Sequence, residues 1–219
     1  MNLSELRREY GSLTLDEEDA RKHHNNPIAL FETWLAFAIA KGIEDATAFV
    51  LATIDAQQRP DTRIVLLKEI KNNGFVFFTH YTSKKAEQIH QKNNVAMNFY
   101  WPALARQVRV RGSIQQTSRL EAECYFSSRP LESQISTCIS NQSSIIEDRN
   151  ILEMRYMQEH AKIDSHHPTN PTLSCPLEWG GYIIMPVEIE FFQGRDRRLH
   201  DRLLFSLEHG SWNVCRLAP

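Results

Sequence analysis

Three runs rich in β-branched and aromatic residues, TAFVLATID, DTRIVLLKEI and GFVFFTH, follow one another with only AQQRP and KNNG between them. Connections that short and polar join antiparallel neighbours, whereas a parallel pair needs a crossover of about a dozen residues or more. The pattern resumes in NVAMNFYW and RQVRVRGSIQQ, then in GGYIIMPVEIEFF, RLHDRLLFSLE and SWNVCRLA, the last two joined around His209-Gly210. Hairpins in series, without alternating strand and helix units, predict a mainly β chain with helices (α+β) whose strands form an antiparallel barrel, not a parallel sheet. Neither GxGxxG nor GxxxxGK[ST] occurs, so any nucleotide cofactor would rest on side chains and isolated helix ends.

Helices occupy the intervals. NNPIALFETWLAFAIAKG reads as one, with Asn26 as N-cap, Pro27 at the first helical position and Gly42 just past the end. TSKKAEQIHQ offers a short helix. SRLEAECYFSS and PLESQISTCIS, parted by Arg129-Pro130, and EDRNILEMRYMQEHAKI make 118–165 a helical segment, after which strands return over 180–217. Residues 1–26 are polar and charged without sustained periodicity and are expected to form a mobile arm, leaving 27–219 as one domain. No apolar run approaches the length of a membrane span and MNLSELRREY has no signal-peptide core, so the expected location is the cytoplasm. A net charge of -2 argues against a general nucleic-acid binder. Four scattered cysteines without zinc-site spacing, and paired histidines in polar stretches, give no reason to assign a metal.

Cationic groups collect at element ends. In RDRRLHDR, strand alternation would put Arg198, His200 and Arg202 on one face, either a solvated edge or a site for an anion. Arg63 and Lys68 bracket four aliphatic residues in RIVLLK. Lys84 and Lys85 fall in the first turn of a helix, where the dipole disfavours each by a few tenths to about 1 kcal/mol unless an anion reverses the sign. Tyr125, Arg129 and Ser133 are spaced by four and would share a helix face, although Pro130 should restart the helix there. Taken singly, each could be an ordinary solvated or core residue.

Together the stretches RREY, RIVLLK, FFTHYTSKKAEQI, RQVRVRG, YFSSRPLESQI, NQSS, EWGG, RRLHDR and the terminal RLAP, in this order from about Leu6 to Pro219, resemble the pyridoxine/pyridoxamine 5′-phosphate oxidase family. The resemblance implies a homodimeric, antiparallel Greek-key split barrel with FMN in the groove between subunits. It implies oxidation of pyridoxine 5′-phosphate or pyridoxamine 5′-phosphate to pyridoxal 5′-phosphate, with dioxygen accepting the electrons and hydrogen peroxide released. Neither metal, nucleic acid nor membrane has a part in that chemistry. Carried over by position, FMN contacts fall on Arg63, Ile64, Val65, Leu66, Leu67, Lys68, Phe78, Thr79, Lys84, Lys85, Gln107, Gln142, Ser143, Phe192 and Arg202. Substrate contacts fall on Arg7, Arg8, Glu9 and Tyr10, which would close over the site, on Lys68, Tyr125, Arg129 and Ser133 for the phosphate, and on Arg198, Leu199 and His200 over the ring. Arg198 and His200 are the implied catalytic pair. Phe192 stands where the family leads one to expect tryptophan and Lys84 where it leads one to expect arginine, and both departures predict weaker FMN affinity.

Overall fold

Every strand pairing in the computed structural model is antiparallel; the model describes residues 10, 13–166 and 173–219. In chain order the elements are α1 (Glu17–Lys22), α2 (Pro27–Ala40), β1 (Ala48–Ile54), β2 (Pro60–Leu66), β3 (Glu69–Lys71), β4 (Gly74–His80), α3 (Lys84–Gln91), β5 (Asn94–Trp101) and β6 (Arg106–Gln116). There follow α4 (Arg119–Ser127), α5 (Leu131–Ile139), α6 (Arg149–His166), β7 (Trp179–Gln193), β8 (Asp201–Glu208) and β9 (Ser211–Arg216). Among the described residues no helix is long and apolar enough to cross a membrane.

The strands lie in the order β2-β1-β5-β6-β7-β4-β3, with β8 added to β7 and β9 to β8. Both ends of that path, β2 and β3, are joined directly through Leu67 and Lys68, so the sheet must curl until its edges meet. This is the antiparallel barrel expected from the hairpin pattern, in the split form that the family resemblance implies. Two-residue loops close β3–β4 at Asn72-Asn73 (φ 50° and 59°) and β8–β9 at His209-Gly210 (φ 50° and 80°). Left-handed backbone at both loop positions gives the twist that strand pairs require, and asparagine and glycine tolerate it best.

Inside the curl α2 supplies the anchor. Asn26 accepts from the Ala29 amide and Pro27 opens the helix, as its sequence implies. Phe31 sets its ring 5.0 Å from Phe75 and 4.8 Å from Phe99, and Trp34 lies edge-on to Phe191 at 5.2 Å. Each such ring removed from water contributes on the order of 2–3 kcal/mol, so α2 and the sheet hold one another.

Three expectations need correction. The first 26 residues are not wholly an arm: α1 carries a capping box from Asp16 and Asp19, and Leu15 is completely buried in the core. A six-residue helix is too short to show periodicity in the sequence. RIVLLKEI is not one buried strand. It breaks at Leu67-Lys68, and β2 alternates with its odd-numbered side chains half-buried and Ile64 70% exposed. RDRRLHDR is not a strand before Asp201: Asp196–Arg198 form a 3₁₀ turn, with Arg197 and Arg198 at φ 56° and 61°. The Arg195 amide donates to His200 Nδ1 and its guanidinium meets Asp201 at 2.9 Å. Those bonds close a compact turn in place of the common cationic face expected from alternation.

Candidate functional site

A cleft of about 710 Å³ opens where β2, β4, α3 and the α4–α5 corner converge. Arg63, Ile64, Val65, Leu66 and Lys68 line it from β2 and the link beyond, Phe78 and Thr79 from β4, Lys85 from α3, and Gln142 from the loop after α5. Tyr125, Arg129 and Ser133 close the other side.

At the α3 end lies a buried ammonium. Lys85 Nζ donates to Gln142 Oε1 (2.6 Å), Thr79 Oγ1 (3.0 Å) and Ser83 Oγ (3.2 Å), all neutral oxygens. No carboxylate pairs with it among the described residues, and burial, with Arg63 nearby, lowers its pKa to about 8. Ser83 occupies the N-cap yet spends its hydroxyl on the His80 carbonyl (2.7 Å), so no side chain caps α3. First-turn amides left open beside an unpaired ammonium form an anion cradle.

A second cradle sits across the cleft. Arg129 Nη1 donates to Thr137 Oγ1 at 2.6 Å, its guanidinium lies 5.0 Å from the Trp179 ring, and burial lowers its pKa. Pro130 does restart the helix, yet Tyr125, Arg129 and Ser133 still reach the same cleft, because α4 and α5 meet there end to end. Between the cradles stands an aromatic wall: Phe78 stacks on Tyr125 at 4.0 Å and on Trp179 at 5.4 Å. Gly181, opposite Phe78 on β7, makes the stack possible; a Cβ there would lie 2.9 Å from the Phe78 ring and 2.5 Å from Thr117 Oγ1.

The remaining expected residues gather elsewhere. Lys84 is 67% exposed outside the cleft lining and pairs with Asp61 at 3.1 Å, while Ser143 (φ 76°) lines a smaller depression beside it. Leu67 is buried in the core rather than at the cleft. Gln107, Phe192 and Arg202 face one another across β6, β7 and β8, with His200 4.9 Å from the Phe192 ring and Tyr10 5.0 Å from His200. Arg202 is fixed by buried Glu190 at 2.8 Å. His200 Nδ1 accepts from an amide, so its proton is on Nε2, and burial together with Arg198 lowers its pKa. Arg198 and Leu199 are exposed on the same turn, whereas Arg7, Arg8 and Glu9 lie outside the described residues. Gly181 and Phe192 mark the two groups on β7, a run of roughly 30 Å or more at ~3.3 Å per residue. One chain therefore presents the two halves of the expected site at opposite ends of its longest strand.

Thr137, His80 and Trp179 also line the cleft and were not singled out from sequence. For Thr137 the signal was available, since it extends the Tyr125, Arg129, Ser133 series by a further four positions.

Comparison with known proteins shows what the chain is similar to. A family model described as pyridoxamine 5′-phosphate oxidase matches residues 35–162, and one described as the pyridoxine 5′-phosphate oxidase C-terminal dimerisation region matches 179–219. A pyridoxine/pyridoxamine 5′-phosphate oxidase of Legionella pneumophila (strain Paris) is 45% identical over 218 residues, spanning 100% of this chain and 98% of the relative. One of that name from Hydrogenovibrio crunogenus is 42% identical, spanning 97% and 96%. Among solved structures, PhzG from Burkholderia lata 383, in complex with tetrahydrophenazine-1-carboxylic acid, superposes with a TM-score of 0.86 at 25% identity, covering 95% of this chain and 98% of that one. A pyridoxamine 5′-phosphate oxidase-related, FMN-binding protein from Nostoc punctiforme gives 0.67 at 17% identity, covering 85% and 96%, a likeness of fold alone.

Proposed function

The chain belongs to the pyridoxamine 5′-phosphate oxidase family, and from that premise we propose that it oxidises pyridoxine 5′-phosphate or pyridoxamine 5′-phosphate to pyridoxal 5′-phosphate, with FMN as resident cofactor and dioxygen as acceptor, releasing hydrogen peroxide and, from the amine, ammonia displaced by water. The observation that carries this reading is a pair of cationic cradles, at Lys85 and at Arg129, facing one cleft with an aromatic wall between them and no carboxylate among the described residues that line it. Such a cleft suits two phosphorylated aromatic molecules held face to face.

The donor set fits FMN. Lys85 and the open amides of α3 would hold its phosphate, Arg63, Ile64, Val65, Leu66, Lys68, Phe78, Thr79, Gln142 and Ser143 would flank it, and Lys84 would swing in from the rim. Gln107, Phe192 and Arg202 would reach it from the second copy of a homodimer, which is supported by the matched dimerisation region. Bound FMN supplies a two-electron acceptor for the substrate's C4′ carbon and a route to dioxygen. The chain's own part is to bind and orient. Lys68, Tyr125, Arg129 and Ser133 would hold the substrate phosphate, remote from the reacting carbon, so that binding energy there fixes the ring in register. Arg198 would press on the ring face, and neutral His200 would offer its Nε2 proton as a donor. Tyr10, edge-on to His200, would help close the site.

Incubation with pyridoxamine 5′-phosphate in air should yield aldehyde and peroxide in equal amounts; absence of both from flavin-loaded protein would sink the proposal. The Burkholderia lata neighbour, solved with a phenazine acid, favours a second reading in which the substrate carries no phosphate. Arg129→Ala separates them. On the first reading it raises KM for pyridoxamine 5′-phosphate by roughly 10- to 100-fold, the worth of a lost charge-assisted contact, while the protein remains yellow. Unchanged KM would favour the second.

A further inference from the structure

Among the described residues no acid lines the cleft of the two cradles, but one stands at its rim. Asp61 Oδ2 lies 3.1 Å from Lys84 Nζ, 3.1 Å from Arg63 Nη2 and 3.1 Å from Gln88 Nε2. Gln88 is buried and is held in turn by Thr53 (2.5 Å) and Arg63 (3.2 Å), so the carboxylate has a fixed seat. Asp61 and Arg63 are two apart on β2 and share its half-buried face, which points at α3. One carboxylate oxygen thus engages two of the cations expected to serve a cofactor phosphate, whereas Lys85 has no carboxylate partner among the described residues.

We propose that Asp61 is an internal counter-anion that competes with the FMN phosphate for Lys84 and Arg63 and so sets the cofactor affinity of this chain below what its cationic groups alone would give. The inference rests on the FMN reading above and adds a residue that weakens binding. Its physical content is a like-charge penalty. A phosphate drawn into the cradle must either share Lys84 with Asp61 or draw it away, and the two anions then repel across a partly exposed rim. Lys84 is long and mostly exposed, so the exchange is within reach of its stem.

The test uses the full-length chain freed of flavin, titrated with FMN and with riboflavin, which lacks the phosphate, and read by flavin fluorescence. Asp61→Asn keeps an acceptor for Gln88 and removes only the charge. It should tighten FMN by roughly 5- to 10-fold and leave riboflavin unchanged within about twofold. In a Lys84→Gln background the gain from Asp61→Asn should shrink, because the contested ammonium is gone. FMN binding that Asp61→Asn leaves unchanged or weakens overturns the inference alone, as does an equal gain for riboflavin. If the unsubstituted chain binds neither flavin saturably, the cofactor reading falls and takes the inference with it.

Discussion

Lys85 shows how much chemistry a single residue position can carry. Its burial puts it about where pH can switch it, since a pKa lowered to about 8 leaves the apo cradle fully cationic only below that value. A phosphate binds the ammonium form, so bound FMN raises that pKa, and affinity must fall as pH climbs above 8; below about pH 6 the phosphate itself takes up a proton. FMN titrations from pH 6 to 9.5 should therefore show tightest binding between those limits, while riboflavin stays flat. Lys85→Met should abolish the alkaline fall and weaken FMN by roughly 10- to 100-fold; an alkaline fall that survives the substitution would assign it to another group. For folding the sign is opposite: an ammonium that burial disfavours costs stability when charged, so this residue's contribution improves as pH rises from 8 toward 10.5. That Lys85 would stand in the first turn of a helix, a poor place for a lysine unless an anion is near, was legible in the sequence. Asp61 was not legible. It lies 23 positions before Lys84, and only the packing of β2 on α3 brings them together.

Elements with strong local signals appeared where the sequence put them. The caps of α2, the two-residue hairpins and the break at Pro130 depend on backbone rules that operate within four or five residues. The Arg195–His200 turn failed that reading because its cause is tertiary. Asp201 accepts from the Leu15 amide (3.2 Å), Arg195 (2.9 Å) and Arg216 (3.0 Å), tying the N-terminal segment, the turn and β9 to one carboxylate. No periodicity encodes a bond across 186 positions. Asp201→Ala leaves two guanidinium groups and an amide short of an acceptor, and should lower unfolding free energy by roughly 1–3 kcal/mol in urea. It should also speed proteolysis ahead of Leu15 and reduce turnover through the loosened Arg198–His200 turn, with FMN affinity near normal. An unchanged urea midpoint would show that the clamp is dispensable.

At the scale of the whole molecule the governing fact is the length of β7. It carries the Phe78 partner Gly181 near one end and the Gln107 and Arg202 partner Phe192 near the other, so the two groups of expected site residues cannot meet on one small ligand within a chain. A sequence has no coordinate for this; a collinear set of motifs reads the same whether it is completed within one copy or between two. The homodimer proposed above would resolve the separation, since an isologous interface can set the cleft of each copy against the far end of β7 in the other. The consequence is complementation. Arg129→Ala damages the cleft and Arg198→Ala the turn, so each homodimer, assayed with substrate well below KM, should be nearly inactive while remaining yellow. After the two are unfolded together and refolded, half of the dimers should be mixed, and each mixed dimer holds one doubly damaged site and one intact site. Recovered activity should then approach about a quarter of the unsubstituted value by random reassortment. Equal subunit amounts that regain nothing, although mass analysis shows mixed dimers, would mean that Arg129 and Arg198 serve a site within a single chain, and the assembly argued from β7 would have to be abandoned.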